Sequence, residues 1–189
     1  MRVAVDVGGT FTDVTFWDGT ALRTAKVSTT PDQSDGVVAA IAAVGADGVD
    51  LVHGTTAATN AVLQRTGART AFVTDAGFED VIEIGRQDRP SLYDTAVTRP
   101  TPRVPAGLRF GVTGRSTQTE AGATPDLDAI VTAVTAARPE SVAVSMLYGF
   151  AHPEREHAVA AALRLALGDM PISMSSEVAA EIREFERAS

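Results

Sequence analysis

The stretch VAVDVGGTFTDVTFW, residues 3–17, decides how this chain folds. Apolar and polar residues alternate up to Val7, break at Gly8 and Gly9, and alternate again from Phe11. Period-two alternation on both sides of a glycine turn predicts a β-hairpin. The second run ends at Asp18-Gly19, another turn signal, and ALRTAKVST follows as a third strand. That strand carries Leu22, Thr24 and Lys26 on one face and Ala25 and Val27 on the other. The chain therefore opens as an antiparallel three-strand meander.

Beyond the meander, helices and strands alternate. TPDQSDGVVAAIAAVG predicts a helix that starts near Pro31 and Asp32, shares Val37, Ile41 and Val44 on one face, and stops at Gly45. DLVHGTT reads as a short buried strand, ATNAVLQRTG as a helix ended by Gly67, RTAFVTD as a strand, and GFEDVIEIGR as a short helix. Residues 86–125 hold five prolines and lose the pattern, with one strand expected at 108–112. Order resumes with a helix stopped by Pro139, a buried strand SVAVSMLYGF, a helix entered through Pro153, and a strand PISMSS. A final helix, capped by Ser175 or Ser176, carries a stripe of Val178, Ile182 and Phe185. Its acids Glu177, Glu181, Glu184 and Glu186 read as a wet face with a structural role. The expectation is an α/β fold with a mixed sheet and flanking helices. Its expected parts are an N-terminal lobe over 1–85, an irregular insertion over 86–125, and an α/β continuation over 126–189.

Composition narrows the function. The 189 residues are 44% hydrophobic, a globular balance able to bury a core. A net charge of −8 argues against a nucleic-acid partner, which needs clustered Lys and Arg. A nucleotide remains open, because backbone amides and a metal hold phosphate without a basic surface. The absence of cysteine removes disulfide and thiolate chemistry. No run approaches the length of a membrane span, so a cytoplasmic protein without a membrane partner is expected. The single lysine, Lys26, stands against fifteen arginines and reads as codon bias.

The hairpin turn holds the densest chemistry. Asp6 lies near the end of a strand suited to burial, where a carboxylate is costly unless paired or near a metal. Gly8 and Gly9 can adopt positive φ and let a ligand approach the backbone, whose amides can form an anion nest. Thr10 and Thr12 add hydroxyls, and Asp13 adds a second acid. Phosphate cradled by the turn, with Asp6 holding Mg²⁺ or a similar divalent ion through water, fits these residue types. A tight turn capped by its own Asp fits them equally. The stretch is neither a Walker A loop nor a G-x-G-x-x-G loop.

A second anion site, for a substrate carbonyl or carboxylate or the transferred phosphoryl group, is expected at HGTTAATN, where His53 and Gly54 end a strand and Thr55 and Thr56 open a helix, with Asn60 one turn on. Plain capping by either threonine, with His53 as a core histidine, explains the same residues. Zinc is not expected, because His53, His152 and His157 lack ligand spacing. Arg86 and Arg89 in GRQDRPSLYD either clamp a carboxylate or sit in a solvated loop.

DVGGTFTDV resembles the first phosphate loop of the actin-like ATPase superfamily. Residues 53–94, HGTTAATNAVLQRTGARTAFVTDAGFEDVIEIGRQDRPSLYD, are similar to the signature of the hydantoinase/5-oxoprolinase family. SMLYGFAHPEREHAVAAALR and SSEVAAEIREFERAS resemble later parts of its N-terminal region. One departure is that the family's usual TT after AGF is not the pattern here: the sequence reads VTDAGFED, with Asp75. The resemblance implies a ribonuclease H-like, actin-like ATPase lobe, use of ATP with Mg²⁺, and opening of a cyclic amide such as a lactam or imide. It implies ketone carboxylation for the acetone-carboxylase branch. It draws Gly54, Thr55, Thr56 and Asn60 toward the active cleft, with Arg86 and Arg89 near the substrate. It also implies a C-terminal lobe and a second large subunit as partners, so that these 189 residues alone are expected to hydrolyse ATP weakly or not at all. No general base is identifiable. A sugar or small-molecule kinase and a non-catalytic assembly module are the rival readings.

Overall fold

A computed structural model describes residues 2–46, 50–88, 91–94, 96–98 and 100–189. It separates into two compact units, Met1–Gly67 and Ala68–Ser189.

The first unit is the expected meander with additions. Strands β1 (Arg2–Val7), β2 (Phe11–Trp17) and β3 (Leu22–Ser28) pair antiparallel in sequence. Helix α1 (Gln33–Ala43) follows, then β4 (Asp50–Thr55), parallel to β1, and α2 (Ala57–Gln64). The sheet order is β3-β2-β1-β4. Alternation sends Val3, Val5, Val7, Val14 and Phe16 to one face, where they pack on Ala40 and Val44. Val37 and Ile41 join them, as the helical spacing predicts. Asp32 caps α1 by accepting from the Ser34 amide at 2.9 Å, and Gly45 ends it at φ +66°. The opposite face leaves Phe11, Trp17, Leu22 and Val52 exposed.

Two of its elements differ from expectation. Strand β4 is exposed throughout, not buried. An apolar run such as DLV reads alike in a central and an edge strand; β4 is at the edge, and α1 packs on β1, β2 and β3. Helix α2 also ends earlier than Gly67, at Arg65, which takes the left-handed conformation at φ +56°.

The second unit is a parallel sheet of its own rather than an extension of the first. Its strands are β5 (Thr70–Asp75), β6 (Arg109–Val112), β7 (Ser141–Val144) and β8 (Ile172–Met174), in the order β6-β5-β7-β8. Helices α3 (Val81–Ile84), α4 (Leu127–Ala137) and α5 (Glu154–Leu167) connect them. Parallel strands need such crossovers and are covered on both faces. Accordingly, Val73, Val142 and Val144 pack with Ile130, Val134, Val159 and Leu163 on one side, while Phe72 packs with Val104 and Leu108 on the other. The irregular segment 86–125 therefore supplies an edge strand: Phe72 to Asp75 of β5 pair with all four residues of β6.

SVAVSMLYGF is a strand only as far as Val144. The expected final helix breaks in two, α6 (Ser175–Val178) and α7 (Glu184–Ala188). The cause is Arg187, whose buried guanidinium donates to the Met146 carbonyl at 2.7 Å, the Ser175 hydroxyl at 3.0 Å and the Glu181 carbonyl at 2.7 Å. In one straight helix, residues 175 and 187 would stand about 18 Å apart. The break leaves Val178 and Ile182 exposed, so the apolar stripe does not form. Nor are all its acids a wet face: Glu184 accepts from the Tyr148 amide at 3.1 Å and pairs with Arg187.

Candidate phosphate site

The β1–β2 turn is closed by the Gly8 amide donating to the Phe11 carbonyl at 3.0 Å. Neither Gly8 nor Gly9 takes positive φ, contrary to expectation. Room favours glycine instead, strictly at Gly8 and mildly at Gly9. A Cβ on Gly8 would lie 2.9 Å from the Phe11 carbonyl oxygen, and one on Gly9 would lie 3.1 Å from Asn60 Nδ2. The turn is braced from the residue just after β3: the Thr29 amide donates to the Thr10 carbonyl at 2.9 Å, and its hydroxyl donates to the Gly8 carbonyl at 3.0 Å. The amides of Gly9 and Thr10 meet no acceptor among the described residues. Two neighbouring free amides on a rigid glycine turn can receive an anion.

The start of α2 docks on the same strand end. The Thr55 hydroxyl and the Thr56 amide both donate to the Val7 carbonyl, at 3.3 and 3.2 Å. Thr55 Oγ1, one residue ahead of the N-cap Thr56, also accepts from the amide of Ala57, the first helical residue, at 3.1 Å. The Asn60 amide group donates to the Thr56 hydroxyl at 3.3 Å and is the group that crowds Gly9. The two glycine-threonine stretches thus meet at one edge of the first unit, and Gly8, Gly9, Thr10, Thr56 and Asn60 come together.

Register places the acids. Gly54, Asp6, Asp13 and Lys26 form a row across β4, β1, β2 and β3. They lie on the face opposite α1. Asp6 is therefore exposed, and the burial cost expected for it does not arise. Gly54 leaves space beside it, since a Cβ there would sit 3.8 Å from Asp6 Oδ1. Asp6 has no ion-pair partner among the described residues, whereas Asp13 binds Lys26 at 3.2 Å. Like charges directly opposed, as Asp6 and Asp13 are, disfavour the pairing unless a cation intervenes.

Other expected site residues go elsewhere. Thr12 faces the core, fully buried, with its hydroxyl 3.2 Å from that of Thr29. His53 pairs in register with Val5, on the face away from Asp6, and is exposed. Arg86, in the second unit, binds Glu186 through Nε at 2.7 Å and Nη2 at 2.6 Å. Arg89 lies outside the described residues. Thr29 and Lys26 are the neighbours that sequence reading missed; the hairpin register, once extended to β3, places both.

The chain matches the hydantoinase/oxoprolinase N-terminal region family over residues 2–167. It belongs to that family. An uncharacterized protein of Methanocaldococcus jannaschii is 33% identical over 201 residues, covering 100% of this chain and 30% of its own. The caprolactamase subunit alpha of Pseudomonas jessenii is 29% identical over 207 residues, covering 100% and 30%. A chain of the ATP-dependent caprolactamase crystal structure from the same organism superposes with a TM-score of 0.79 at 27% identity, covering 100% and 30%. The acetophenone carboxylase gamma subunit of Aromatoleum aromaticum is 30% identical over 214 residues, covering 98% and 29%. This family member thus spans about 30% of the length of these relatives. Among its described residues, no helix is long and apolar enough to cross a membrane.

Proposed function

We propose that this chain carries the first phosphate loop of an ATP-dependent enzyme that opens a cyclic amide. The observation that supports this best is the pair of free amides at Gly9 and Thr10, on a turn where backbone leaves no room for a side chain at Gly8 and Asn60 crowds Gly9. Similarity to a caprolactamase subunit supports the substrate class.

In this reading the Gly9 and Thr10 amides and the Thr10 hydroxyl hold oxygens of the nucleotide's terminal phosphates. Donors fixed before the reaction stabilise charge as it develops on the phosphoryl group. Asn60 and Thr56 fix the far wall. Asp6, exposed and uncommitted, suits Mg²⁺, which when bound would neutralise phosphate charge. The γ-phosphoryl group would pass to the amide oxygen and ADP leave; one water would then add to the activated carbon, the ring C–N bond break with the nitrogen taking up a proton and leaving as the amine, and a second water hydrolyse the resulting acyl phosphate to carboxylate and phosphate. Arg86 would clamp a substrate carboxylate only after leaving Glu186. The further lobe, a companion subunit and the general base are sought beyond this chain, consistent with the 30% share of the caprolactamase subunit that it spans.

Titration calorimetry tests the reading. MgATP should bind the protein, and Asp6→Ala should lose most of that binding. Equal heats from both proteins would refute it and favour an assembly module. A coupled assay for ADP across lactams, imides, sugars and ketones with bicarbonate then assigns the substrate. Turnover with ketone and bicarbonate would support carboxylation, the reading that similarity to the acetophenone carboxylase gamma subunit favours.

A further inference from the structure

We infer that Lys26 is a phosphate-binding residue of this site. The inference rests on the reading of the Gly8–Thr10 turn as a phosphate cradle and adds a cation to it.

Three observations carry it. The first is position: Lys26 ends the row Gly54, Asp6, Asp13, Lys26, so its side chain rises from the same face as the uncommitted carboxylate. The second is direction. Lys26 Nζ lies 5.3 Å from the centroid of the Phe11 ring, and Phe11 directly follows Thr10. The side chain thus leans along the sheet toward the turn. The third is availability. The ion pair with Asp13 is half-exposed on both sides, 57% and 54%, so water screens it and it contributes little to folding. An ammonium also has three donors, so it can bind a phosphate oxygen while keeping Asp13.

Charge on this face requires such a group. Asp6 and Asp13 together oppose an incoming polyphosphate. Of the unit's other described cations, Arg2 begins β1 at the end away from the turn, Arg23 binds Asp18, and Arg65 caps α2. Asp13 then acts as the positioning residue: it holds the ammonium near the turn before the nucleotide arrives.

Lys26 is the only lysine of the 189 residues, which makes the test direct. The protein, in its native assembly, is treated with an amine-acetylating ester with and without saturating MgATP. Acetylation at Lys26 is read by peptide mass mapping, and MgATP binding is measured in parallel by calorimetry. MgATP should slow acetylation of Lys26 about tenfold, the protection expected of one charge-assisted contact. Lys26→Gln should weaken MgATP about tenfold, with Lys26→Arg restoring most of the loss. If wild-type protein binds MgATP but Lys26 acetylates at its free rate, the proposal is overturned while the phosphate cradle stands. If wild-type protein binds no MgATP, the cradle fails and the proposal with it. Should Lys26→Gln not fold, the labelling result on wild-type protein decides alone.

Discussion

Replacing Arg155 with Met should unfold the second unit far more readily than its single lost contact suggests. Arg155 Nη1 meets Asp75 Oδ1 at 2.6 Å, with the two side chains 4% and 0% exposed. Asp75 Oδ2 accepts from the Leu147 amide at 2.8 Å, and Arg155 Nη2 donates to the Thr113 carbonyl at 2.8 Å. The pair thus ties the end of β5 to the segments that follow β6 and β7. Removing the arginine strands a carboxylate at zero exposure, which costs about 3–5 kcal/mol. That is a large share of the roughly 5–15 kcal/mol that holds a typical protein folded. The pair itself is worth less, because desolvation offsets the attraction and Arg155 Nε is buried without a partner among the described residues. The double variant Asp75→Asn with Arg155→Met removes both charges and keeps an acceptor for Leu147. It should therefore recover at least about 2 kcal/mol of the single variant's loss. Urea denaturation followed by circular dichroism measures this. At a slope near 2 kcal/mol per molar, Arg155→Met should move the midpoint down by about 2 M. Hydrogen exchange at the Leu147 amide should accelerate in parallel. A shift of Arg155→Met below about 0.5 M, or a double variant no more stable than the single one, would refute the reasoning.

Other expectations follow from the same contacts. Gly8→Ala drives a Cβ to 2.9 Å from the Phe11 carbonyl, a backbone atom that cannot swing aside; it should cost about 1–3 kcal/mol in urea denaturation and weaken MgATP binding. Leu163→Ala, at a fully buried position between α4, α5 and the parallel sheet, should cost about 2–5 kcal/mol in the same assay. Asp18 accepts from the Ala21 and Thr20 amides, which hold its carboxyl down at about 2, against an ordinary 3.8. Its folded value is depressed, so the stability it adds is complete above pH 3.8 and is lost as pH falls through 2. A carboxyl resonance with its midpoint near 2, and the loss of that pH dependence in Asp18→Asn, would confirm this.

The sequence disclosed the hairpin because alternation on both sides of Gly8-Gly9 leaves one way to bury Val3, Val5, Val7, Val14 and Phe16. It disclosed α1 because Asp32 and Gly45 mark its ends and Ile41 keeps its period. It did not disclose the break before α7. SEVAAEIREFERAS has helical spacing throughout, and only the long-range demand of Arg187 for the Met146 carbonyl interrupts it. Strand β4 was misjudged because hydrophobicity does not report whether a neighbour arrives to cover it. Within the candidate site, the glycine turn and Thr56 with Asn60 were visible as residue types. That Thr12 turns inward while Lys26 turns toward Asp13 depends on strand register, which no single stretch displays.

The bare face of the first sheet has a spectroscopic consequence. Trp17, the chain's only indole, stands on it 47% exposed, paired in register with Leu22. Its emission colour is thus a gauge of how wet that surface is. Whatever seals the face, whether more polypeptide or a companion molecule, should shift the fluorescence toward the blue and shield it from iodide quenching, without any label being added.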